Sequence, residues 1–291
     1  MSNHPAATSF AALFCCLLPG VTRAGENPAD KSGYSLFSPT PATLLREFDT
    51  ARPDHTDSPH TIDAGHLQLE MDVVSYTHDR HNSDRSFSRS DDWAFANANF
   101  RIGITNWADI EFLVPFYQVN RDKNTSTGIA TRQQGIGDFS VVLKMNFWGN
   151  DGGKTSGGLE LFVKTPTANH HLGNGKVEGG GLLLFETALP GDFDLGINSG
   201  VSVVANDSGS GHHAEMINSA SVSHKVFGPL TAYAEFWSDV PAQSHAPTIA
   251  TVDLGLLMMI SKNVQFDTGV NIGVTRSAPD IQTVFGISVR F

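Results

Sequence analysis

Three histidines and four aspartates lie close together near the start of the chain, and both residue types bind divalent metals. Residues 46–70 read "REFDTARPDHTDSPHTIDAGHLQLE". The potential ligands are His55, His60, His66, Asp49, Asp54, Asp57 and Asp63. Their spacing matches no compact metal-binding template, and Pro53 and Pro59 favour extended chain between them. We therefore predict no metal site within this stretch and interpret it as a polar lead-in or plug segment.

Motifs for catalysis or phosphate binding are absent from the sequence or stand in the wrong context. "GNDGGKTSG" is one residue short of a phosphate-binding loop, and the following "GLELFVK" alternates like a strand where that motif requires a helix. Neither GxSxG nor HExxH occurs, and His224 is the one histidine in a predicted strand after the first. We predict no enzymatic activity, no catalytic residues and no cofactor.

Charge and cysteine content narrow the class of protein. The 291 residues carry a formal net charge of -11, so no basic surface is available for nucleic acid. Cys15 and Cys16, the only cysteines, lie in a short apolar run followed by small residues. This pattern predicts a secretory signal over residues 1–24. Its apolar run, from Phe10 to Leu18, is too short to span a bilayer as a helix. A lipoprotein acylated at one of these cysteines remains an alternative.

From residue 64 onward the hydrophobic period is two, which is the period of β-strands. In "AGHLQLEMDVVSY" the apolar side chains share one face and the polar ones share the other. The pattern recurs to the end of the chain and predicts about twelve strands, with ten or fourteen as alternatives. The predicted strands lie at 64–76, 94–105, 109–117, 138–148, 158–165, 179–189, 193–204, 214–227, 230–238, 249–260, 264–275 and 280–291.

The connections between these strands alternate between short and long. "TNWAD", "PGD", "FGP" and "SKN" are short, whereas the intervening connections are long and polar. Outer-membrane β-barrels have this arrangement, with the long loops extracellular. Because lipid offers no hydrogen-bond partner, a spanning sheet must also close on itself. We predict an all-β, antiparallel transmembrane barrel over residues 64–291, surrounded by outer-membrane lipid, with both termini periplasmic and with residues 25–63 as a lead-in or plug.

The phase of the alternation assigns polar side chains to the lumen of this barrel. The charged lumen candidates are Glu70, Asp72, Arg101, Glu111, Asp138, Lys144, Glu160, Lys164, Asp194, Glu235, Asp253, Asp267 and Arg290. Their acidic surplus predicts a mild cation preference, unless the charges pair across the bore. Several inner-phase glycines either keep the bore open or make room for a tucked-in segment. A track for aromatic solutes is predicted from Phe95, Tyr117, Phe162 and Tyr233.

The last predicted strand, "DIQTVFGISVRF", ends on an aromatic residue. It resembles the terminal strand that the outer-membrane insertion machinery recognises, which implies that Phe291 is an assembly signal. An ordinary amphipathic edge strand that ends in phenylalanine would have the same pattern.

Three stretches resemble one family of proteobacterial outer-membrane proteins. They are the segment 46–70, "QGIGDFSVVLKMNF", and "KTPT" at residues 164–167. The family is the "transporter" family named for a MetA pathway of phenol degradation. The resemblance implies a barrel that transports small molecules, often aromatic or hydrophobic, and it brings no catalytic residues. We therefore predict a channel for passive uptake or export of such a solute. The alternative is a non-conducting structural or adhesive barrel that acts through its outer loops.

Overall fold

The alternating sequence forms thirteen antiparallel strands in the computed structural model, which describes residues 30–80, 88–169, 172–206, 210–243 and 246–291. The predicted signal segment lies outside these residues. No helix in the described ranges is long and apolar enough to cross a membrane. The strands are β1 (Leu67–Asp79), β2 (Ser88–Thr105), β3 (Ala108–Asn124), β4 (Ala130–Gly135), β5 (Phe139–Trp148), β6 (Thr155–Thr165), β7 (Glu178–Leu189), β8 (Phe193–Ala205), β9 (His212–Phe227), β10 (Leu230–Pro241), β11 (Ile249–Ser261), β12 (Val264–Gly273) and β13 (Ile281–Arg290).

Twelve of these strands close into a barrel, as the sequence predicts. Each strand pairs with its neighbours in the chain, and β13 pairs with β1 to complete the ring, with Arg290 opposite Gln68. The thirteenth strand, β4, was not predicted. It pairs only with residues 118–123 of β3, while residues 108–113 of β3 pair with β5. β4 therefore extends one hairpin beyond the barrel and is not part of the ring.

The two rims of the barrel differ in the length of their connections. The short turns, including 106–107, 190–192 and 262–263, lie on the same rim as both ends of the barrel chain. We call this the short-turn rim, and the opposite one the long-loop rim. The turn over 149–154 is longer than the others on its rim because Asn150 and Asp151 fold inward and bind other parts of the chain.

The outer face of the barrel is apolar and the inner face is polar. Leu254 and Phe285 point outward and are 46% and 48% exposed, whereas Asp253, next to Leu254, is fully buried inside the barrel. This arrangement is the one that lipid imposes, because charged side chains would be unstable against hydrocarbon.

Three β-bulges place two of the aromatic lumen candidates on the outer face of the barrel. Val73, Ala96 and Phe116 have no cross-strand partner in β1, β2 and β3, and an extra residue in a strand transfers the following side chains to the other face. Phe95 and Tyr117 pair with each other beyond these bulges and are each 40% exposed. The prediction that they face the lumen is therefore wrong, and both lie on the outer face.

Residues 30–63 form no helix and no strand, and they enter the barrel from the short-turn rim. A turn forms over residues 41–44, where the Leu44 N–H donates to the Pro41 carbonyl at 2.9 Å. Residues 46–63, hereafter the inner segment, then run along the polar inner face. Thr56, Pro59 and Ile62 of this segment are buried there.

The assignment of the two faces can be tested with an arginine at a lipid-facing position. We expect Leu254→Arg to lower the free energy of unfolding by about 2–4 kcal/mol, because the charge would lie near the middle of the hydrocarbon layer. The measurement is a denaturant titration of the chain folded in phospholipid vesicles. Ile129→Arg, at the exposed tip of the β3–β4 hairpin, is the control and should change stability by less than about 0.5 kcal/mol. Equal effects of the two substitutions would contradict the assignment.

Candidate functional site

The inner segment begins at a cluster of charges on the short-turn rim. The Arg46 guanidinium lies 2.9 Å from the Asp151 carboxylate and donates to the Thr61 carbonyl at 2.9 Å. Lys31 Nζ lies 2.8 Å from the same carboxylate, and hydrogen bonds from Lys31 and Arg46 hold the pKa of Asp151 at about 2 despite partial burial. Asn150 joins Thr61 through two further hydrogen bonds, of 3.0 and 2.8 Å. The turn over 149–154 therefore fastens both ends of the inner segment.

Arg52 fastens the middle of the inner segment to the barrel wall. Its guanidinium pairs with Asp72 on β1 and, at 2.7 Å, with Asp267 on β12. Between these carboxylates lies Gly286 on β13, and a Cβ atom at this position would overlap the guanidinium. The absence of a side chain is thus what lets Arg52 reach both acids, and this inner-phase glycine makes room for a tucked-in segment.

Two more residues of the inner segment bind β9 and β10, which lie next to β11 and β12 in the ring. The Thr56 hydroxyl hydrogen-bonds the Ser219 hydroxyl at 2.8 Å and also the Glu235 carboxylate. The Asp54 carboxylate accepts a hydrogen bond of 2.9 Å from Ser221. Burial and the nearby Glu235 charge raise the pKa of Asp54 to about 8. The inner segment thus contacts β1, β12, β10 and β9, and its Asp57 contacts Lys144 on β5, four strands farther round the ring from β9.

His55 lies at the tip of the inner segment between two acidic residues of the wall. Its backbone N–H donates to Glu235 at 2.8 Å, and its Nδ1 lies 3.2 Å from Asp253. Burial alone would lower the pKa of His55, but hydrogen bonds with Asp253 and Glu235 raise it to about 9. The imidazole also packs against the Trp237 ring, with centroids 5.0 Å apart.

Arg101 on β2 is the most highly connected charge of the wall. It is buried and lies 2.9 Å from Glu70, 3.2 Å from Asp109 and 3.1 Å from Glu111. It also donates to the His60 carbonyl of the inner segment at 3.1 Å. Asp109 was missed in the sequence, although it shares the phase of Glu111 two residues later.

Lys144 on β5 continues this network towards β6. Its ammonium group lies 2.9 Å from Asp57 of the inner segment, 3.5 Å from Glu111 and 3.7 Å from Glu160. The lysine has no exposed surface. The predicted lumen charges are therefore largely paired with each other or with the inner segment. The cation preference stays a prediction, and so does the assignment of these side chains to a conducting path.

The remaining predicted charges lie nearer the rims. Lys164 lies 3.2 Å from Asp138 and 2.7 Å from Glu178, towards the long-loop rim. At the short-turn rim, Arg290 donates to a backbone carbonyl of the inner segment at 2.9 Å, and Asp194 borders a cavity beside that segment.

The other two aromatic candidates lie on the inner face. Tyr233 is buried, and its ring lies over Gly255, where a Cβ atom would overlap the ring. Phe162 lies against Gly180 of the next strand in the same way. The two residues lie on β6 and β10, on different parts of the wall, so the structure does not bring the four aromatic candidates together as one track.

The three histidines of the opening stretch lie in three different environments. His60 Nδ1 is 3.4 Å from Asp49 and 3.8 Å from Glu186. Burial would raise the pKa of Asp49, but the hydrogen bond with His60 and the positive charge of His60 lower this pKa to about 2. His66 hydrogen-bonds the Phe291 carbonyl at 3.0 Å. His55 is bound by the wall, as described above, so the three do not form a common site.

Two cavities border the inner segment. A cavity of about 590 Å³ opens on the short-turn rim, between the inner segment and β6–β8. A second, of about 190 Å³, lies between the tip of the segment and the long-loop rim. It is lined by His55, Trp237, Ile249, Thr251, Asn271, Pro279 and Gln282.

The contribution of the Arg101 network can be measured directly. We expect Arg101→Met to lower the free energy of unfolding by about 3–5 kcal/mol, because it leaves buried carboxylates without their cation. The measurement is again a denaturant titration in vesicles. Arg89→Met removes an exposed ion pair with Asp91 and should change stability by about 1 kcal/mol or less. If Arg101→Met also lowered the free energy of unfolding by only about 1 kcal/mol or less, water would already reach the network.

Comparison with known proteins identifies the family and the fold. The profile of the family described as "Putative MetA-pathway of phenol degradation" matches residues 50–291. The comparison with curated proteins finds no match. The COG4313 outer membrane channel from Pseudomonas putida F1 is similar in structure, with a TM-score of 0.59, 10% sequence identity, and coverage of 84% of this chain and 100% of that one. The translocator domain of the autotransporter NalP from Neisseria meningitidis has a TM-score of 0.50, 8% identity, and coverage of 78% and 88%.

Proposed function

We propose that this chain, which belongs to the family described as "Putative MetA-pathway of phenol degradation", is an outer-membrane channel that the inner segment closes. The short-turn rim faces the periplasm, as in other outer-membrane barrels. Solutes pass down their own gradient when the inner segment leaves the bore. The observation that carries this proposal is the occupation of a twelve-strand lumen by a segment that polar contacts hold in place.

Barrel size supports a conducting role. About eight strands give an interior that side chains fill, and 16–18 strands leave an aqueous channel. Twelve strands lie between these limits and enclose space that the wall alone does not fill. Here a stretch of the same chain fills it, with a cavity on either side. If residues 46–63 were withdrawn, the two cavities would join into one passage.

The contacts of the inner segment suit a part that moves. In the described ranges, Pro59 and Ile62 are its only buried apolar residues. Its other contacts are hydrogen bonds and ion pairs, such as those of Arg46, Arg52 and Thr56. Water can replace each of these when the segment leaves, so the net free energy of a polar contact is modest. A segment with an apolar core would lose far more.

The cavity above His55 indicates the class of solute. Trp237, Ile249 and Pro279 give it apolar walls, while Thr251, Asn271 and Gln282 supply polar groups. Its volume of about 190 Å³ is near that of the apolar cavity of about 150 Å³ that holds benzene in another protein. A single aromatic ring with a hydroxyl group fits both its size and its lining. The family description, which refers to phenol degradation, supports the same class.

Movement of the inner segment can be tested with a reversible staple. The Thr56 and Ser219 hydroxyls are 2.8 Å apart, so Thr56→Cys with Ser219→Cys should form a disulfide from the segment to the wall. Cys15 and Cys16 must be removed with the leader or replaced by serine. In planar bilayers we expect conductance at least ten-fold lower after oxidation than after reduction.

A second staple controls for the chemistry of oxidation. Ser199→Cys with Asn218→Cys joins β8 to β9 on the outer face, where the native side chains are 2.8 Å apart, and should leave conductance unchanged. Equal conductance of the oxidised and reduced Thr56–Ser219 variant would show that solutes pass with the segment in place. No conductance in either state would instead favour the non-conducting structural or adhesive barrel.

From the proposed class of solute we predict that phenol binds beside Trp237. We expect Trp237→Ala to weaken phenol binding roughly three- to ten-fold, because an aromatic pair contributes about 0.5–1.5 kcal/mol beyond the area it buries. Ligand-observed NMR on the chain in detergent measures the affinity. Trp107→Ala, on the short-turn rim and outside this cavity, should not change it. Unchanged binding in Trp237→Ala would exclude this cavity as the phenol site.

A further inference from the structure

We propose that His55, Glu235 and Asp253 form a binding site for one divalent transition-metal ion, for which Zn²⁺ is best suited. The site joins the tip of the inner segment to β10 and β11. It does not depend on the channel function, because binding of the ion is measured without conductance. Its three ligands lie 180 and 198 residues apart along the chain, so the sequence contains no compact metal-binding motif.

The distances between the ligand atoms suit a zinc ion. His55 Nδ1 lies 3.2 Å from an Asp253 oxygen and 3.6 Å from a Glu235 oxygen. One ligand atom from each residue lies within 4.8 Å of the other two. Zinc binds nitrogen and oxygen at about 2.0–2.2 Å in a tetrahedron, which places neighbouring ligand atoms about 3.3–3.6 Å apart. Small side-chain rotations would therefore complete the coordination.

The charges around the site require a cation. Glu235 and Asp253 are directly opposite each other on β10 and β11, and like charges in such a pair destabilise a sheet. Both are buried. Arg52, the arginine nearest to His55 along the inner segment, is paired with Asp72 and Asp267. On the inner segment, only the His55 imidazole therefore supplies positive charge to the two carboxylates. A metal ion that binds this imidazole would displace its proton to solvent and take over that charge.

A second observation points to a missing ligand at the same place. One carboxylate oxygen of Asp253, Oδ1, is buried and has no hydrogen-bond partner in the described part of the chain. Its other oxygen is bound by Thr251 and by His55. A buried carboxylate oxygen without a partner is unfavourable by about 1–3 kcal/mol or more. A metal ion that the Asp253 carboxylate chelates through both oxygens would give Oδ1 this partner.

The site has the composition of a zinc centre with an open position. Three protein ligands, one histidine and two carboxylates, leave a fourth position for water or a solute oxygen. Of the three ligands, His55 lines the cavity above the segment tip, so a solute in this cavity would lie beside the ion. A bound ion would therefore hold the inner segment against the wall and would be reached from the long-loop side.

Calorimetric titration of Zn²⁺ into the full chain, folded in detergent and freed of metal with a chelator, tests the proposal. We expect one saturable site, at least ten-fold weaker in His55→Ala and in Asp253→Asn. His60→Ala removes the other histidine of the inner segment and is the matched control, with no expected change. Gel mobility before and after heating checks that each variant is folded. Titration with Co²⁺ should give the intense visible absorption of tetrahedral coordination, lost in His55→Ala.

Two results would overturn the proposal. One is the absence of saturable Zn²⁺ binding to the folded chain, which would leave His55 as a protonated bridge between two acids. The other is binding that His55→Ala and Asp253→Asn do not weaken, which would place the ion elsewhere, for example at His212 and His213 in β9 near the long-loop rim. Neither result bears on conductance, so the staple experiment remains a separate test of the channel.

Discussion

Lipid offers no hydrogen-bond partner to a polypeptide backbone, and most features of this structure follow from that constraint. An open sheet edge in the membrane would leave its amide and carbonyl groups unpaired, so the twelve strands must close into a ring. Closure then separates two environments, one apolar and one shielded from lipid. Side chains alternate along each strand, so every strand contributes to both. Leu254 and Asp253 on β11 illustrate the result, with one against lipid and the other fully buried inside.

A polar interior creates a second requirement, because buried charges need partners. The wall carries more acids than bases, and its own Arg101 and Lys144 satisfy only part of them. The inner segment carries five acids and two arginines, so it supplies individual partners and not a net positive charge. Arg52 pairs with two wall acids, and Asp57 gives Lys144 a further partner. Ion pairs in both directions therefore join the wall and the segment, with the cation on the segment at Arg52 and on the wall at Lys144.

Most of the architecture could be predicted from the sequence, but the bulges, β4 and the partners of His55 could not. Strand positions and the closed ring follow from hydrophobic period and loop length, which are local properties. The bulges are different, since nothing in "AFANANF" marks Ala96 as the residue at which the phase changes, and Phe95 was therefore assigned to the wrong face. β4 was missed because its residues are polar on both faces, as suits a hairpin outside the membrane. The partners of His55 could not be found, because they are set by how far the inner segment rises into the barrel.

A segment that closes a channel must be stable in place and yet removable, and polar contacts meet both conditions. Inside the closed barrel, where few waters compete, the ion pairs of Arg46 and Arg52 and the hydrogen bonds of Thr56 are strong and directional. If the segment moved and water entered, the same groups would be solvated, so little free energy would separate the two states. Inner-face glycines such as Gly286 let the segment lie close to the wall without interlocking side chains that would resist withdrawal. A metal ion at His55 would add one strong contact at the tip, where the segment is farthest from the rim that anchors it. Its occupancy would then set the balance between the closed and the open state.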